Sequence, residues 1–387
     1  MTFLSVKNFF LTFYFITIFQ SLACAQAVQT RGLRVDPAYF YSEFQSGTPV
    51  GTIASQVVSI AKSAGYNSLF VFVYSPVYGA FYKTTYPMVP VEGGFGVANI
   101  TQALITAAKA QGVKVIAGFP VNNFKSVWDV NPTWRSKTKA GGDYLPMVNV
   151  YPLSAWHSSY RAWYRGLIKN FLQLHPQVDG VESVEGQVDY FWNSGADYNS
   201  VANNLFTAAF PGSTLGSANW KKHRALGMTG LHGILAEEGH LVGKKAYVVQ
   251  TWSVNSSGQL LSSASISDGS GFDFDGVINQ TGSAKPDFLV AEFMWQQWLA
   301  EFGTNVFTPA WTKSAAQQLA AKTAGRITPI LHVEISSFAG AKKNVSVTDS
   351  EFIATIGAYF GTGMGIDIYD FHQLYTRGLL NYDFFGL

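Results

Sequence analysis

Two glutamates follow a short apolar stretch that begins at Val178. Glu182 and Glu185 occur where a strand of this length should end in a loop. Burying a carboxylate among apolar side chains costs on the order of several kcal/mol unless the group is paired or used. These two carboxylates are therefore candidates for acid–base or nucleophilic chemistry.

A third glutamate, Glu334, stands out because of the residues that alternate with it. The segment from Ile330 to Ser336 has aliphatic side chains at every second position after Ile330. Side chains on a strand alternate between its two faces, so His332 and Glu334 should share the face opposite those aliphatic residues. This pattern predicts that both point away from the helices, into a shared interior.

The same alternation, applied to the other strand-like segments, extends the candidate site. Polar or aromatic residues near the ends of these segments are predicted to bind substrate: Asp36, Tyr74, Gln250, Trp252, Glu292, His332, Asp367 and Tyr369. Aromatic residues in the connecting segments are predicted to stack on sugar rings: Tyr78, Trp128, Trp134 and Trp295.

The elements that must position these residues alternate regularly between strand and helix. Eight strand-like segments are separated by helix-like segments, as at Ile100 to Ala110 and Lys245 to Trp252. Alternation of this kind indicates a parallel sheet, and eight repeats most simply close into a barrel. We expect an α/β fold with a single (β/α)8 TIM barrel and elaborated βα loops. An open doubly wound sheet is the alternative, although the first strand has no GxGxxG after it.

The amino terminus resembles a secretory signal peptide. Lys7 precedes an apolar run, and small residues around Cys24 precede a cleavage site expected after Ala25. Residues 1–25 are therefore predicted to be removed, which leaves a single domain at 26–387 with no membrane span. The expected location is extracellular or periplasmic; anchoring as a lipoprotein through Cys24 is the less favoured alternative. Cys24 is the single cysteine, so the mature chain should have no disulfide.

Composition restricts the class of partner. The formal net charge is +2, and only 13% of residues are charged, while 15% are aromatic. The absence of a basic stripe argues against nucleic acid as a partner. Aromatic enrichment in an exported protein favours a carbohydrate, and no motif indicates a cofactor or a metal.

Several carboxylates among aromatic residues suit glycoside hydrolysis. In this reaction one carboxylic acid protonates the leaving oxygen, and a second carboxylate attacks the sugar or activates water. The two groups need different pKa values, which a crowded apolar pocket can provide. The sequence thus predicts an enzyme that cleaves a polysaccharide or oligosaccharide with a pair of glutamates.

Four stretches resemble bacterial exported glycoside-hydrolase-like (β/α)8 families and, more distantly, the hydrolase domain of biofilm poly-N-acetylglucosamine processing proteins. They are Tyr78 to Tyr82, Asn131 to Trp134, Val178 to Glu182 and Gly365 to Asp370. The resemblance implies a carbohydrate-active barrel with a retaining mechanism. By position it makes Glu182 or Glu185 the acid/base and Glu334 the nucleophile.

Two other classes of function remain to be compared with this one. A non-catalytic carbohydrate-binding barrel would keep the aromatic residues without needing Glu334. A metal-dependent hydrolase could use His332, Glu334 and His372, but the chain has no HxH or HExxH spacing. No GxSxG motif supports a serine hydrolase.

Overall fold

The protein folds into a closed barrel of eight parallel strands. The computed structural model describes residues 29–40, 44, 47–184, 186–189, 195–293, 306–334 and 348–386. Each strand is hydrogen-bonded to the next along the chain, and β8 closes the barrel on β1. The strands are β1 Arg31–Val35, β2 Ser68–Phe72, β3 Lys114–Pro120, β4 Gly180–Val184, β5 Lys245–Trp252, β6 Phe288–Phe293, β7 Thr328–Glu334 and β8 Gly365–Tyr369.

Helices connect the strands and cover the outside of the barrel. In the described ranges they are α1 Val50–Ser63, α2 Phe95–Ala98, α3 Ile100–Ala110, α4 Lys125–Val130, α5 Ser158–Leu174, α6 Ser200–Ala209, α7 Ala218–Leu241, α8 Ser263–Ser270, α9 Phe274–Ile278, α10 Pro309–Thr323, α11 Asp349–Phe360 and α12 Phe371–Thr376. Within these ranges, no helix is both long and apolar enough to cross a membrane.

The predicted (β/α)8 fold is confirmed, and two segments differ from what their composition favours. The Ser- and Gly-rich segment from Ser253 to Gly271 is typical of a surface loop, but it contains helix α8. The apolar run from Ser68 to Tyr74 is typical of one strand, but β2 ends at Phe72, and Tyr74–Ser75 pairs with Gly79–Ala80 in a separate two-stranded sheet.

Local sequence signals explain where several helices begin and end. The sequence Thr348-Asp-Ser-Glu351 forms a capping box: the Thr348 hydroxyl accepts from the Glu351 backbone N–H, while the Glu351 carboxylate accepts from the Thr348 N–H. Asn99 adopts a left-handed conformation between α2 and α3 and caps α3 with its side chain. Gly65 follows α1 at a φ of 85°, a conformation that favours glycine.

The strands separate two apolar clusters. The larger one fills the layer between the strands and the helices and includes Leu331 and Val333 of β7. The smaller one comes from the opposite faces of the strands, which line the barrel interior: Phe70, Ile116, Val184, Tyr247, Val249, Val290 and Ile330. This inner cluster forms an apolar surround for the polar residues described next.

Candidate active site

A buried arginine lies at the centre of the polar interior. Arg34 of β1 donates two hydrogen bonds, each 2.8 Å long, to the two carboxylate oxygens of Glu182 on β4. Its side chain is 2% exposed and that of Glu182 is fully buried. The guanidinium also lies over the rings of Phe70 and Phe72, 5.4 and 5.5 Å from their centroids. Bidentate pairing of this kind fixes both partners in orientation as well as in charge.

The same arginine joins a second buried carboxylate. Arg34 Nε donates to Asp367 Oδ2 of β8 at 2.7 Å. That oxygen also lies 2.8 Å from Nδ1 of His332 on β7, the neighbouring strand. Asp367 thus connects Arg34 to His332, and all three side chains are buried.

The network continues from the histidine to two glutamates. His332 Nε2 lies 3.3 Å from Glu334 Oε1 and 4.0 Å from Glu292 Oε1 of β6. Thr251 of β5 donates a hydrogen bond to Glu292 Oε2. Six strands therefore contribute polar side chains to one cluster, and the predicted inward orientation of His332, Glu334, Glu292 and Asp367 is confirmed.

Burial and neighbouring charges set the ionisation of the network. Burial alone would lower the pKa of Arg34, but Asp367 and Glu182 raise it, so the guanidinium stays charged. Burial would also lower the pKa of His332, yet its contact with Asp367 raises that pKa to about 10. Asp367 itself has a lowered pKa, because Arg34 and His332 outweigh its burial. Burial raises the pKa of Glu182, and Arg34 opposes that shift.

Glu334 is the group whose proton is available near neutral pH. Burial raises the pKa of Glu334 to about 8, and Glu292, which hydrogen-bonds to it, acts in the same direction. The contact with His332 opposes the shift without cancelling it. A protonated carboxyl beside a second carboxyl group is the arrangement from which general acid–base chemistry starts.

The two glutamates of this pair lie at the carboxyl-terminal end of the barrel, where (β/α)8 enzymes have their active sites. Glu334 is the last residue of β7 and its side chain is 3% exposed, whereas that of Glu292 is 18% exposed. Phe72 and Tyr369, half-buried at the ends of β2 and β8, have ring centroids 6.3 Å apart. Solvent therefore reaches the pair from the side of Glu292, while Tyr369 pairs with Glu334 on the neighbouring strand.

Three of these groups are also close enough together to ligate a metal ion. One atom each of Glu292, His332 and Glu334 lies within 4.8 Å of the other two. A histidine ligand must, however, offer a free nitrogen lone pair. Nδ1 of His332 contacts Asp367 and Nε2 contacts Glu334, so hydrogen bonds engage both ring nitrogens in this arrangement. A metal ion at Nε2 would have to replace the contact with Glu334.

Three predicted substrate-binding residues lie elsewhere. The inner face of β5 carries Tyr247, Val249 and Thr251, so Gln250 and Trp252 point outward and their predicted orientation is wrong. Trp252 packs against Phe274 at 4.4 Å between centroids, under α9. Tyr74, 1% exposed, packs against Phe124 in the outer core. These residues are enclosed by protein and present no face to a ligand.

The other predicted residues that the structure describes lie in the segments connecting the strands. Tyr78 is 61% exposed in the turn of the small two-stranded sheet. Trp128 and Trp134 are half-buried; the guanidinium of Arg135 stacks on Trp128, 3.7 Å from the ring centroid. Asp36 caps the 3-10 helix Pro37–Tyr39, and burial raises its pKa to about 6. Glu185 and Trp295 lie outside the described residues.

Three participants were missed from sequence or given no role: Arg34, Thr251 and Phe72. The hydroxyl of Thr251 gave a weaker signal in the sequence than the flanking Gln250 and Trp252, whose side chains are larger and carry more hydrogen-bonding groups or aromatic surface. Phe72 was read only as part of a buried strand. The β5–β6 register, which pairs Thr251 with Glu292, would have identified the threonine.

A cavity of about 580 Å³ lies at the other end of the barrel. Its lining includes Arg31, Asn67 and Val113, which stand at or just before the starts of β1, β2 and β3. The amino-terminal end of a (β/α)8 barrel serves stability and not catalysis. We therefore place the candidate site at the opposite end, with the glutamates.

Comparison with solved structures relates the fold to glycoside hydrolases. The glycoside hydrolase domain of PgaB (BpsB) from Bordetella bronchiseptica aligns with a TM-score of 0.64 and 12% identity, over 91% of this chain and 97% of that domain. The catalytic domain of a β-amylase from Paenibacillus polymyxa aligns with a TM-score of 0.59, 12% identity and the same coverage. A β-galactosidase from Marinomonas ef1 aligns at 0.62 with 14% identity over 88% of this chain.

The chain spans about half of that galactosidase, 54% of its length. At these identities the comparisons establish a shared fold, and the predicted resemblance to glycoside-hydrolase barrels is confirmed at that level. Models of protein families give no match to the chain, and neither do curated protein sequences.

Proposed function

We propose that this protein is a secreted glycoside hydrolase that cleaves a polysaccharide or oligosaccharide with a carboxyl pair at the mouth of the barrel. The observation that carries the proposal is the buried carboxyl group of Glu334 beside that of Glu292 at the carboxyl ends of β7 and β6, where burial raises the pKa of Glu334 to about 8. Secretion rests on the signal-peptide pattern of residues 1–25.

Glu334 is the member that donates the proton. Its raised pKa keeps it acidic at neutral pH, which suits protonation of the leaving glycosidic oxygen. This reverses the nucleophile role that the family resemblance implied. The partner carboxylate is Glu292, which solvent reaches, or Glu185, which follows β4.

Glu182 is a poor candidate for either role. Both of its carboxylate oxygens accept hydrogen bonds from Arg34, and its side chain has no exposure to solvent. An acid/base must reach the substrate, so Glu182 acts instead as the counter-charge that holds Arg34.

The carboxyl groups of Glu292 and Glu334 are closer together than an inverting enzyme requires. One oxygen of Glu292 lies within 4.8 Å of one oxygen of Glu334. Retaining enzymes have carboxyl groups about 5–5.5 Å apart, whereas inverting enzymes leave about 6.5–9.5 Å for a water. If Glu185 is the partner instead, this argument does not apply, so the anomer formed first has to be measured.

The test is hydrolysis of a panel of polysaccharides and oligosaccharides by the mature protein, followed as new reducing ends. Glu334→Gln should lower kcat by about 10²–10⁴-fold, the usual contribution of a general acid. Glu292→Gln and Glu185→Gln identify the partner, since only the true one should lose activity comparably. Glu237→Gln, on the outer helix α7, is the matched control, and EDTA should leave the rate unchanged. Full activity of Glu334→Gln would refute the proposal.

A carbohydrate-binding barrel without catalysis is the second candidate, favoured by the locking of Glu182 onto Arg34. This arrangement removes one of the carboxylates that the family resemblance assigned to the reaction. Calorimetric titration with the same oligosaccharides separates the two functions. Binding without turnover, equal in the wild type and in Glu334→Gln, would favour the second candidate.

A further inference from the structure

We propose that His332 is a positioning residue: a charged imidazolium whose Nε2–H holds the carboxyl group of Glu334 in place while Asp367 fixes its Nδ1–H. This inference rests on the proposed function for its catalytic consequence. The charge and the contacts of His332 can be tested without it.

The hydrogen bonds define how the ring is held. Nδ1 lies 2.8 Å from Asp367 Oδ2, and an ionised carboxylate is only an acceptor, so Nδ1 carries a proton. Asp367 is fixed in turn by Arg34 Nε at 2.7 Å. The ring therefore has one orientation, and this directs Nε2 towards Glu334 Oε1 at 3.3 Å.

Charge balance decides the state of Nε2. Arg34 carries one positive charge. Asp367 is ionised, and Glu182 accepts from Arg34 at both of its oxygens, as an ionised carboxylate does, so the two buried carboxylates carry two negative charges. A neutral His332 would leave a net negative charge in the interior, which is costly. A protonated His332 makes these four groups neutral, so Nε2 also carries a proton and donates it to Glu334.

The surroundings of the ring leave no other group to supply that charge among the described residues. His332 is faced by Arg34 of β1, Glu182 of β4, Glu292 of β6, Glu334 of β7, and Asp367 and Tyr369 of β8. Tyr369 has a pKa raised well above its ordinary value by burial, so it is neutral. Arg34 is already engaged by two carboxylates.

In catalysis Glu334 and His332 would have different roles. Glu334 holds the reacting proton, and His332 sets where that carboxyl group lies and how readily it ionises. An imidazolium favours the ionised form of Glu334, so removing it should raise the pKa of the glutamate. Loss of His332 should therefore move the alkaline limb of the pH profile to higher pH while lowering kcat.

The decisive measurement is ¹⁵N NMR of the histidine side chains of the full mature chain between pH 6 and 9. Both nitrogens of His332 should give protonated signals at pH 7.5. His175 and His232, whose pKa values burial lowers to about 4 and about 3, provide neutral rings in the same spectrum. His332→Gln assigns the signal by its loss. A neutral His332 in the wild type at pH 7.5 would overturn the proposal, whatever the activity.

Two variants test the role of Asp367 as counter-charge and the effect of His332 on catalysis. In Asp367→Asn the histidine should titrate below pH 8, because its counter-charge is gone. In His332→Gln, kcat should fall about 10–100-fold with KM within twofold, as when a hydrogen-bonding partner that orients a metal ligand is removed. An unchanged kcat and pH profile would contradict the positioning role. Histidine signals that behave as expected in a protein without hydrolase activity would refute the proposed function alone. Circular dichroism and thermal unfolding establish that each variant is folded.

Discussion

Arg34 and Glu182 form a bidentate ion pair inside the barrel, joining β1 to β4 through two hydrogen bonds of 2.8 Å. Neither strand is the other's neighbour in the sheet. The pair therefore links two strands across the barrel interior. Its Arg34 also holds Asp367 by a charged hydrogen bond, and Asp367 in turn holds His332.

Removing the arginine should be strongly destabilising. Arg34→Met leaves Glu182 and Asp367 buried without their cation, and breaking a buried pair from one side costs about 3–5 kcal/mol. Urea unfolding at pH 7 measures the change. Arg377→Met, which removes a half-exposed partner of Asp349, is the matched control and should cost at most about 1 kcal/mol. Equal effects of the two substitutions would show that the central pair has no special role.

The pKa of Glu334 predicts how stability depends on pH. The folded protein keeps this proton up to about pH 8, whereas the unfolded chain releases it near 4.5. Between these values the unfolded state binds fewer protons, so the free energy of unfolding falls as pH rises. His332, with a pKa raised from 6.5 to about 10, adds a decline in the same direction between those values.

Glu334→Gln isolates the first contribution, because glutamine resembles the protonated acid and does not titrate. Its stability relative to the wild type should rise from pH 5 to pH 8, by up to about 1.4 kcal/mol per pH unit, and then level off. Urea unfolding at pH 5, 6, 7, 8 and 9 measures both curves. Parallel curves across this range would mean that Glu334 titrates normally.

Strand β7 and strand β5 show what alternation can and cannot predict. In β7 aliphatic residues occupy one face and polar residues the other, so the inward orientation of His332 and Glu334 could be predicted. In β5 both faces are apolar, with Val248 outside and Val249 inside. The polarity of Gln250 then favoured it as an inward residue, so the two faces of β5 were assigned the wrong way round.

The pairing of Arg34 with Glu182 lay beyond sequence reasoning. The two residues are separated by 148 positions, and only closure of the barrel brings them together. Glu182 was singled out from sequence as a buried carboxylate with a catalytic role, but a carboxylate used in catalysis and one paired with a cation have the same sequence signal. The strand–helix order was predictable because it is repeated, whereas each cross-barrel contact occurs once.

Substitutions of Trp252 and Tyr369 test which aromatic residues bind the sugar and which stabilise the fold. Trp252→Ala should destabilise the protein by about 3–5 kcal/mol, because its buried indole packs against Phe274. At a temperature where it remains folded, its affinity for oligosaccharides should be unchanged. Tyr369→Ala, at the half-buried mouth, should weaken binding with a smaller loss of stability. Calorimetric titration and urea unfolding of both variants give the comparison, and weaker sugar binding by Trp252→Ala would reverse the assignment.

The packing of the barrel interior below the site can be tested at Gly180 of β4. A Cβ there would lie 2.7 Å from the ring of Tyr247 and 2.8 Å from the Lys245 carbonyl oxygen. The carbonyl belongs to the paired strand β5 and cannot move freely, so Gly180→Ala should cost about 1–3 kcal/mol. Gly51→Ala is the control: it lies in α1 with open space around it and should gain about 0.5–1 kcal/mol. Urea unfolding measures both, and a neutral Gly180→Ala would show that the interior near β4 is looser than these distances indicate.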